Sequence, residues 1–225
     1  MNASLEGMNH LQQFKALKNR YIALRHGLSV ANEEGIIISK PENGIGQYGL
    51  VDKGRREVRV SVAMAVEEGI IDRDSLIIAS DFQRTFETGE ITQKTLGGNN
   101  GIFINPKLRE RNFGEFEKKS NKNYQTVWTA DGLYPHHGMW AVESANDVQT
   151  RTTLLISELE ERYTGKTFIL ASHGDSLQIL ETGFRKISPK HHRQLEPLKT
   201  GEIRELTLST VPNEKGLITQ PMRRM

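Results

Sequence analysis

Residues 21–27 read Tyr-Ile-Ala-Leu-Arg-His-Gly, an apolar run that ends abruptly in an arginine and a histidine. The same arrangement occurs twice more. Residues 76–84 carry Leu-Ile-Ile-Ala into Ser-Asp-Phe-Gln-Arg, and residues 168–174 carry Phe-Ile-Leu-Ala into Ser-His-Gly. Short apolar runs bounded by polar residues and glycine are typical of buried parallel strands. The three runs therefore predict the centre of an α/β sheet.

The polar residues that follow the three runs are expected to meet at one edge of that sheet, because ligands of open α/β sheets bind beyond the carboxyl ends of the strands. This edge would gather Arg25, His26, Arg84 and His173. A guanidinium group donates paired hydrogen bonds to phosphate and stays charged. A neutral imidazole can attack phosphorus. The sequence thus predicts a phosphate site, although this chemistry alone does not say which histidine is the nucleophile.

The segments around the three runs indicate how the rest of the chain is organised. We predict a polar lead-in with a short helix over 1–20, a glycine-rich loop over 27–50, helices over 52–68, 84–96, 146–163 and 175–186, a helix start at Ser188-Pro189, and an edge strand over 203–208. Residues 100–142, which are rich in aromatic residues, do not follow the alternation of strand and helix. They are interpreted as an insertion that flanks the site; an ordinary surface excursion that packs its aromatic side chains on the core fits equally well. Residues 211–225 are predicted to be a loose tail of one single domain, 1–225.

Composition limits the classes of protein that the chain can belong to. Its 225 residues suit one domain, and 36% hydrophobic with 26% charged residues is typical of a globular protein. The formal net charge of +2 gives no indication of nucleic acid or membrane partners. There is no cysteine, which excludes disulfides, thiol catalysis and cysteine metal sites and suits a reducing compartment. No apolar run is long enough to cross a membrane, and the N-terminus has no apolar signal core. A cytoplasmic protein is the expectation.

Five ordered segments over about residues 20–208 resemble the histidine phosphatase superfamily, the phosphoglycerate mutase-like proteins. They are Arg25-His26-Gly27, the segment 80–85 (Ser-Asp-Phe-Gln-Arg-Thr), the segment 108–114 (Leu-Arg-Glu-Arg-Asn-Phe-Gly), Glu143-Ser144, and Ser172-His173-Gly174. The resemblance implies a single three-layer α/β domain, with a mostly parallel central sheet and helices on both faces.

The resemblance also implies a role for each residue of the site. His26 would be the nucleophile that forms a phosphohistidine, and His173 its stabilising partner. Arg25 and Arg84 would hold the phosphoryl group, and Glu110 would be the proton donor; an exposed face of ion pairs is the competing interpretation for Glu110. Further phosphate or substrate contacts are implied for Asn32, Ser29 and Gly174. Neither a metal nor a cofactor is needed, because arginines and histidines offset the charge that Mg²⁺ offsets elsewhere.

The family contains phosphatases and mutases, and the sequence favours a phosphatase that acts on a phosphorylated small molecule. The mutases carry a tandem arginine pair after the acid segment, whereas residues 118–142 hold Lys118-Lys119 and no arginine. A mutase, or a family member that binds phosphorylated ligands or partners without turnover, remains an alternative. The adjacent pairs His136-His137 and His191-His192 are not expected to bind metal, because neighbouring side chains point apart. The first pair is expected to be exposed, and a place in the pocket wall is the alternative.

Overall fold

The computed structural model describes residues 7–217, and these form a five-stranded mixed sheet between two layers of helices. The sheet order is β3-β2-β4-β1-β5, and only β5 runs antiparallel to its neighbour. The strands are β1 (Arg20–Arg25), β2 (Leu76–Ala79), β3 (Ile102–Ile104), β4 (Thr167–Ser172) and β5 (Ile203–Leu206). The predicted three-layer α/β class is confirmed.

Seven α-helices are found in the described part of the chain. They are α1 (Val30–Glu34), α2 (Pro41–Gly44), α3 (Asp52–Glu67), α4 (Gln83–Leu96), α5 (Tyr124–Leu133), α6 (Ala145–Arg162) and α7 (Gly174–Phe184). Short 3₁₀ turns include His10–Gln13, within the predicted lead-in, and Pro189–Gln194, at the predicted start after Ser188. The four long helices predicted from periodicity are therefore confirmed. The predicted loop over 27–50 contains the short helices α1 and α2.

Successive side chains of the central strands point to opposite faces of the sheet, and each face has its own hydrophobic core. Tyr21 and Ala23 of β1 pack with α6 and α7, whereas Ile22 and Leu24 pack with α3 and α4. Because successive strand residues point to opposite faces, a run that is apolar throughout needs helices on both sides. This is why the sequence 21–24 carries no charged residue.

The stretch 100–142 differs from its prediction at its beginning. Residues 102–104 form β3, which pairs in parallel with β2 at the edge of the sheet. The interpretation of the whole stretch as an insertion outside the strand-helix alternation is therefore wrong for these residues. The remainder forms α5 and 3₁₀ turns, and a third apolar cluster joins it to the 33–50 segment through Ile37, Phe113, Val127 and Val142. Of the predicted tail, residues 218–225 lie outside the described part of the chain.

Candidate active site

Three strand ends bring the predicted residues together. Arg25 pairs in register with Ser172, and Ala79 with Ala171, so β1, β4 and β2 end side by side. His26 directly follows β1, and its N–H donates to the Ser172 carbonyl at 3.0 Å. His173 is the N-cap residue of α7. Arg84 lies in the first turn of α4, just after β2.

Arg84 bridges the two histidines. Its Nε–H donates to Nε2 of His26 at 3.2 Å and to Nδ1 of His173 at 3.1 Å, and all three side chains are buried. The imidazole rings lie 5.2 Å apart, centroid to centroid. The other ring nitrogen of His26, Nδ1, lies 2.8 Å from the Gly27 carbonyl oxygen. Because a carbonyl can only accept, Nδ1 carries the proton and Nε2 presents a lone pair.

His173 has the opposite arrangement of donor and acceptor. Its Nδ1 accepts from Arg84, so its proton is on Nε2, which lies 3.0 Å from the Ser80 hydroxyl. Burial lowers the pKa of both histidines well below the ordinary value, and the positive charge of Arg84 lowers each pKa further. Both rings are therefore neutral near pH 7.

The two arginines of the site hold donors that no residue within 7–217 satisfies. Arg25 Nη1 donates to the Leu198 carbonyl at 2.7 Å and Arg84 Nη2 to the Ile38 carbonyl at 2.9 Å. Arg25 Nε and Arg84 Nη1 are buried and make no hydrogen bond to the described residues. A buried guanidinium donor left without a partner is costly, so such a pair of donors indicates an anionic ligand.

Glu110 is held at the start of α7 and makes no ion pair with the other residues of 7–217. Its Oε1 accepts from the N–H of Arg111 at 2.9 Å and from the N–H and hydroxyl of Ser176, both at 3.3 Å. Desolvation raises the pKa of Glu110, and the negative charge of Asp175 raises it further, although Arg84 lowers it. A carboxyl group in this environment is suited to giving up a proton and taking it back.

Of the three predicted contact residues, Ser29 and Asn32 bond to each other, and Gly174 contacts Arg25. The Ser29 hydroxyl donates to Asn32 Oδ1 at 2.9 Å, and the pair caps α1. Gly174 packs against Arg25: a Cβ added there would lie 3.2 Å from the Arg25 guanidinium carbon. Glycine therefore lets the start of α7 approach the arginine.

The family model described as histidine phosphatase superfamily (branch 1) matches residues 21–212. The chain belongs to the histidine phosphatase superfamily. The resemblance seen in the five sequence segments is thus confirmed. No curated protein sequence gives a significant match.

Solved structures share the superfamily fold at low sequence identity. A mycobacterial glucosyl-3-phosphoglycerate phosphatase in complex with VO3 aligns with a TM-score of 0.67 and 21% identity, over 83% of this chain and 91% of that one. A phosphoserine phosphatase mutant from Entamoeba histolytica in complex with phosphoserine aligns with a TM-score of 0.65 and 18% identity, over 83% and 89%. At these identities the likeness is one of fold.

A buried polar network next to the candidate site was not predicted from the sequence. Arg111 donates to both oxygens of Asp131 at 2.6 and 2.8 Å, and one of its nitrogens lies 3.4 Å from Asp175. The second histidine of each adjacent pair belongs to this network. His137 Nε2 lies 2.9 Å from Asp131, and His192 Nε2 lies 3.5 Å from Asp175.

The expectation that the pair His136-His137 is exposed is wrong for His137, which is buried, and right for His136. His137 is buried because its hydrogen-bond partner Asp131, six residues earlier in the sequence, lies in the interior of the protein. Asp131 also binds Arg111 there. Within residues 7–217 no group of three or more metal-ligating side chains is placed to hold an ion. None of the helices in that range is both long and apolar enough to span a bilayer.

Proposed function

We propose that this chain is a phosphomonoesterase that hydrolyses a phosphorylated small molecule through a phosphohistidine on His26. The observation that carries the proposal is the Arg84 bridge. The Nε–H of Arg84 faces the unprotonated Nε2 of His26. Two further guanidinium nitrogens of the site, Nε of Arg25 and Nη1 of Arg84, are buried and have no partner among the described residues. A nucleophile and unsatisfied cationic donors in one buried place are what phosphoryl transfer needs.

In the first step Nε2 of His26 attacks phosphorus while the bond from phosphorus to the ester oxygen breaks. Glu110, whose pKa is raised by burial and by the charge of Asp175, gives its proton to the leaving alkoxide. Arg25 and Arg84 bind the non-bridging oxygens. The negative charge of the phosphoryl group favours the protonated form of His173, which then donates a hydrogen bond to the phosphoryl group as well.

In the second step a water molecule gives a proton to the Glu110 carboxylate, and its oxygen bonds to phosphorus. The bond from phosphorus to Nε2 breaks, and its electron pair returns to the imidazole. Phosphate leaves, and His26 and Glu110 regain their starting protonation. One water is consumed for each ester, and the charge of the transferred group is offset throughout by arginine, so the scheme needs neither a metal ion nor a cofactor.

Hydrolysis is favoured over phosphoglycerate mutase chemistry by the segment that follows Glu110. Residues 118–142 contain no arginine, and Lys118 and Lys119 are exposed. The structural neighbours include phosphatases with VO3, inorganic phosphate or phosphoserine bound. A non-catalytic binding protein is disfavoured because His26, His173, Glu110 and both arginines are all present. The lack of cysteine fits activity in the cytoplasm.

The proposal is tested by phosphate release from a panel of phosphomonoesters in EDTA, with wild type, His26→Ala and His136→Ala compared. His136 is exposed and lies outside the site, so its variant controls for the loss of an imidazole. We expect release that survives chelation, persists in His136→Ala and is lost in His26→Ala. Full activity of His26→Ala would contradict the proposal. Interconversion of 3- and 2-phosphoglycerate without release would identify a mutase instead.

A further inference from the structure

One arginine outside the proposed chemistry shares an unusual property with Arg25 and Arg84. Among the arginines of residues 7–217 that are shielded from solvent, Arg25, Arg84 and Arg193 make no ion pair, whereas each of the others binds a carboxylate. A shielded guanidinium that makes no ion pair has donors available for an anion that the chain itself does not supply. The proposed phosphoryl group accounts for the first two arginines only.

Arg193 is fixed in place by its neighbours. Its guanidinium carbon lies 3.7 Å from the centroid of the Trp128 ring, and Nη1 donates to Gln178 of α7. Trp128 is held in turn, because its Nε1–H donates to Asp175 at 2.9 Å and its ring stacks on Tyr124. A cation placed over an indole face is held there by the ring's electrostatic field. Arg193 is thus a pre-positioned charge and not a free surface side chain.

The same neighbours connect Arg193 to the phosphoryl site. Asp175, which binds Trp128, directly follows Gly174, and Gly174 packs on Arg25. The segment that carries Arg193 continues to Leu198, whose carbonyl accepts from Arg25. Burial lowers the pKa of Arg193; the charges of Asp175 and Glu110 raise it, and the charge of Arg25 lowers it. Arg193 therefore lies within the electrostatic field of the site.

We propose that Arg193 binds a carboxylate of the substrate, so that the substrate is a phosphomonoester carrying a carboxylate group. This inference names the substrate class of the proposed function and rests on it. With Nη1 bound to Gln178, the Nε and Nη2 edge makes no hydrogen bond to residues 7–217. That edge is a fork that fits a carboxylate with two parallel hydrogen bonds. One guanidinium group matches the single negative charge of a carboxylate, whereas the phosphoryl group binds to two guanidinium groups, those of Arg25 and Arg84.

The test measures binding in the His26→Ala background, where the proposed turnover is blocked. Calorimetry would compare 3-phosphoglycerate with glycerol 3-phosphate, a pair that differs by a carboxylate against a hydroxymethyl group. Each ligand is titrated into the parent, into Arg193→Met and into Arg59→Met. Arg59 is an exposed arginine of α3 without an ion pair to the described residues, and it serves as the matched control.

We expect the parent and Arg59→Met to prefer 3-phosphoglycerate by about 10- to 100-fold, the range for a hydrogen-bonded charged pair. Arg193→Met should reduce the preference to less than about 3-fold. Arg193→Lys, which keeps the charge and lacks the fork, should give an intermediate value and decides the question if Arg193→Met does not fold. Equal affinities in the parent, no binding of either ligand, or a preference that survives both variants would overturn the inference.

The outcome is separate from that of the proposed function. Hydrolysis of p-nitrophenyl phosphate that depends on His26, together with equal affinities for the two ligands, would leave the phosphatase standing and remove the carboxylate site. If the protein hydrolyses no ester but its preference for 3-phosphoglycerate depends on Arg193, the carboxylate site would stand and the proposed phosphatase activity would be removed.

Discussion

Removing the cation of the buried pair Arg111–Asp131 should destabilise the fold far more than removing that of an exposed pair. Both side chains of this pair have 0% exposure, and Arg111 holds Asp131 through two hydrogen bonds of 2.6 and 2.8 Å. Arg111→Met keeps the aliphatic stem and leaves the Asp131 carboxylate buried without its cation, with the His137 ring as a remaining partner. Breaking a buried pair from one side costs about 3–5 kcal/mol.

That cost converts into a shift that is simple to measure. At about 2–4 °C per kcal/mol for a domain of this size, the melting temperature of Arg111→Met should fall by about 6–20 °C. The matched control is Arg20→Met. Arg20 binds Glu205 with two comparable bonds of 3.0 and 2.9 Å, but the side chains are 46% and 43% exposed. A surface pair contributes about 0–1 kcal/mol, so this control should hardly move.

The double variant Arg111→Met/Asp131→Leu separates the lost charge from the lost packing. If the penalty comes from an uncompensated carboxylate, removing that carboxylate as well should recover more than half of the loss. Thermal and urea unfolding followed by circular dichroism measure all four proteins. A loss in Arg111→Met no larger than in Arg20→Met, or a double variant less stable than the single one, would refute the reasoning.

Three further predictions concern the site. Glu110→Gln should slow the hydrolysis of alkyl phosphates by about 10²–10⁴-fold and p-nitrophenyl phosphate far less, because the nitrophenolate needs no acid; equal losses in steady-state assays would exclude Glu110 as the proton donor. Because burial and Arg84 lower their pKa, the two site histidines should stay neutral as the pH falls from about 7 to 6, and a ring titration by NMR at about 6.5 or above would contradict this. Gly27→Ala would place a Cβ 2.4 Å from the Gly54 carbonyl oxygen and should cost about 1–3 kcal/mol and displace the nucleophile. Gly132→Ala, with nothing within 4 Å, is its control in melting and activity assays, and similar behaviour of the two would count against that strain.

The core of the fold and the site could be predicted from the sequence because their signals are local. A strand buried on both faces must be apolar throughout, as residues 21–24 are, and a ligand-binding residue follows directly at its end. The strand and the histidine therefore occupy one continuous segment. In the helices of the two layers, the buried apolar residues recur with the helical period. This pattern can be recognised within each helix, without knowledge of distant residues.

The parts that were missed depend on distant partners. Strand β3 has three residues, and Phe103 and Ile104 are 51% and 44% exposed because they lie at the sheet edge, so no long apolar run marks it. His137 was expected to be exposed, and its buried partner Asp131, which also binds Arg111, reaches it only once the chain has folded. Arg193 is likewise distinguished by Trp128, 65 positions earlier, and by no local motif.

The central claim is that phosphorus becomes bonded to His26 during turnover, and trapping that intermediate tests it most directly. Glu110→Gln is the protein to use with p-nitrophenyl phosphate, since phosphorylation does not need the acid there whereas release does need the base. After rapid quenching under alkaline conditions, which preserve phosphohistidine, peptide mass spectrometry locates the phosphoryl group. We predict one phosphoryl group per chain on His26, and none in His26→Ala/Glu110→Gln. A label on His173, or rapid release of nitrophenol with no labelled histidine, would contradict the claim.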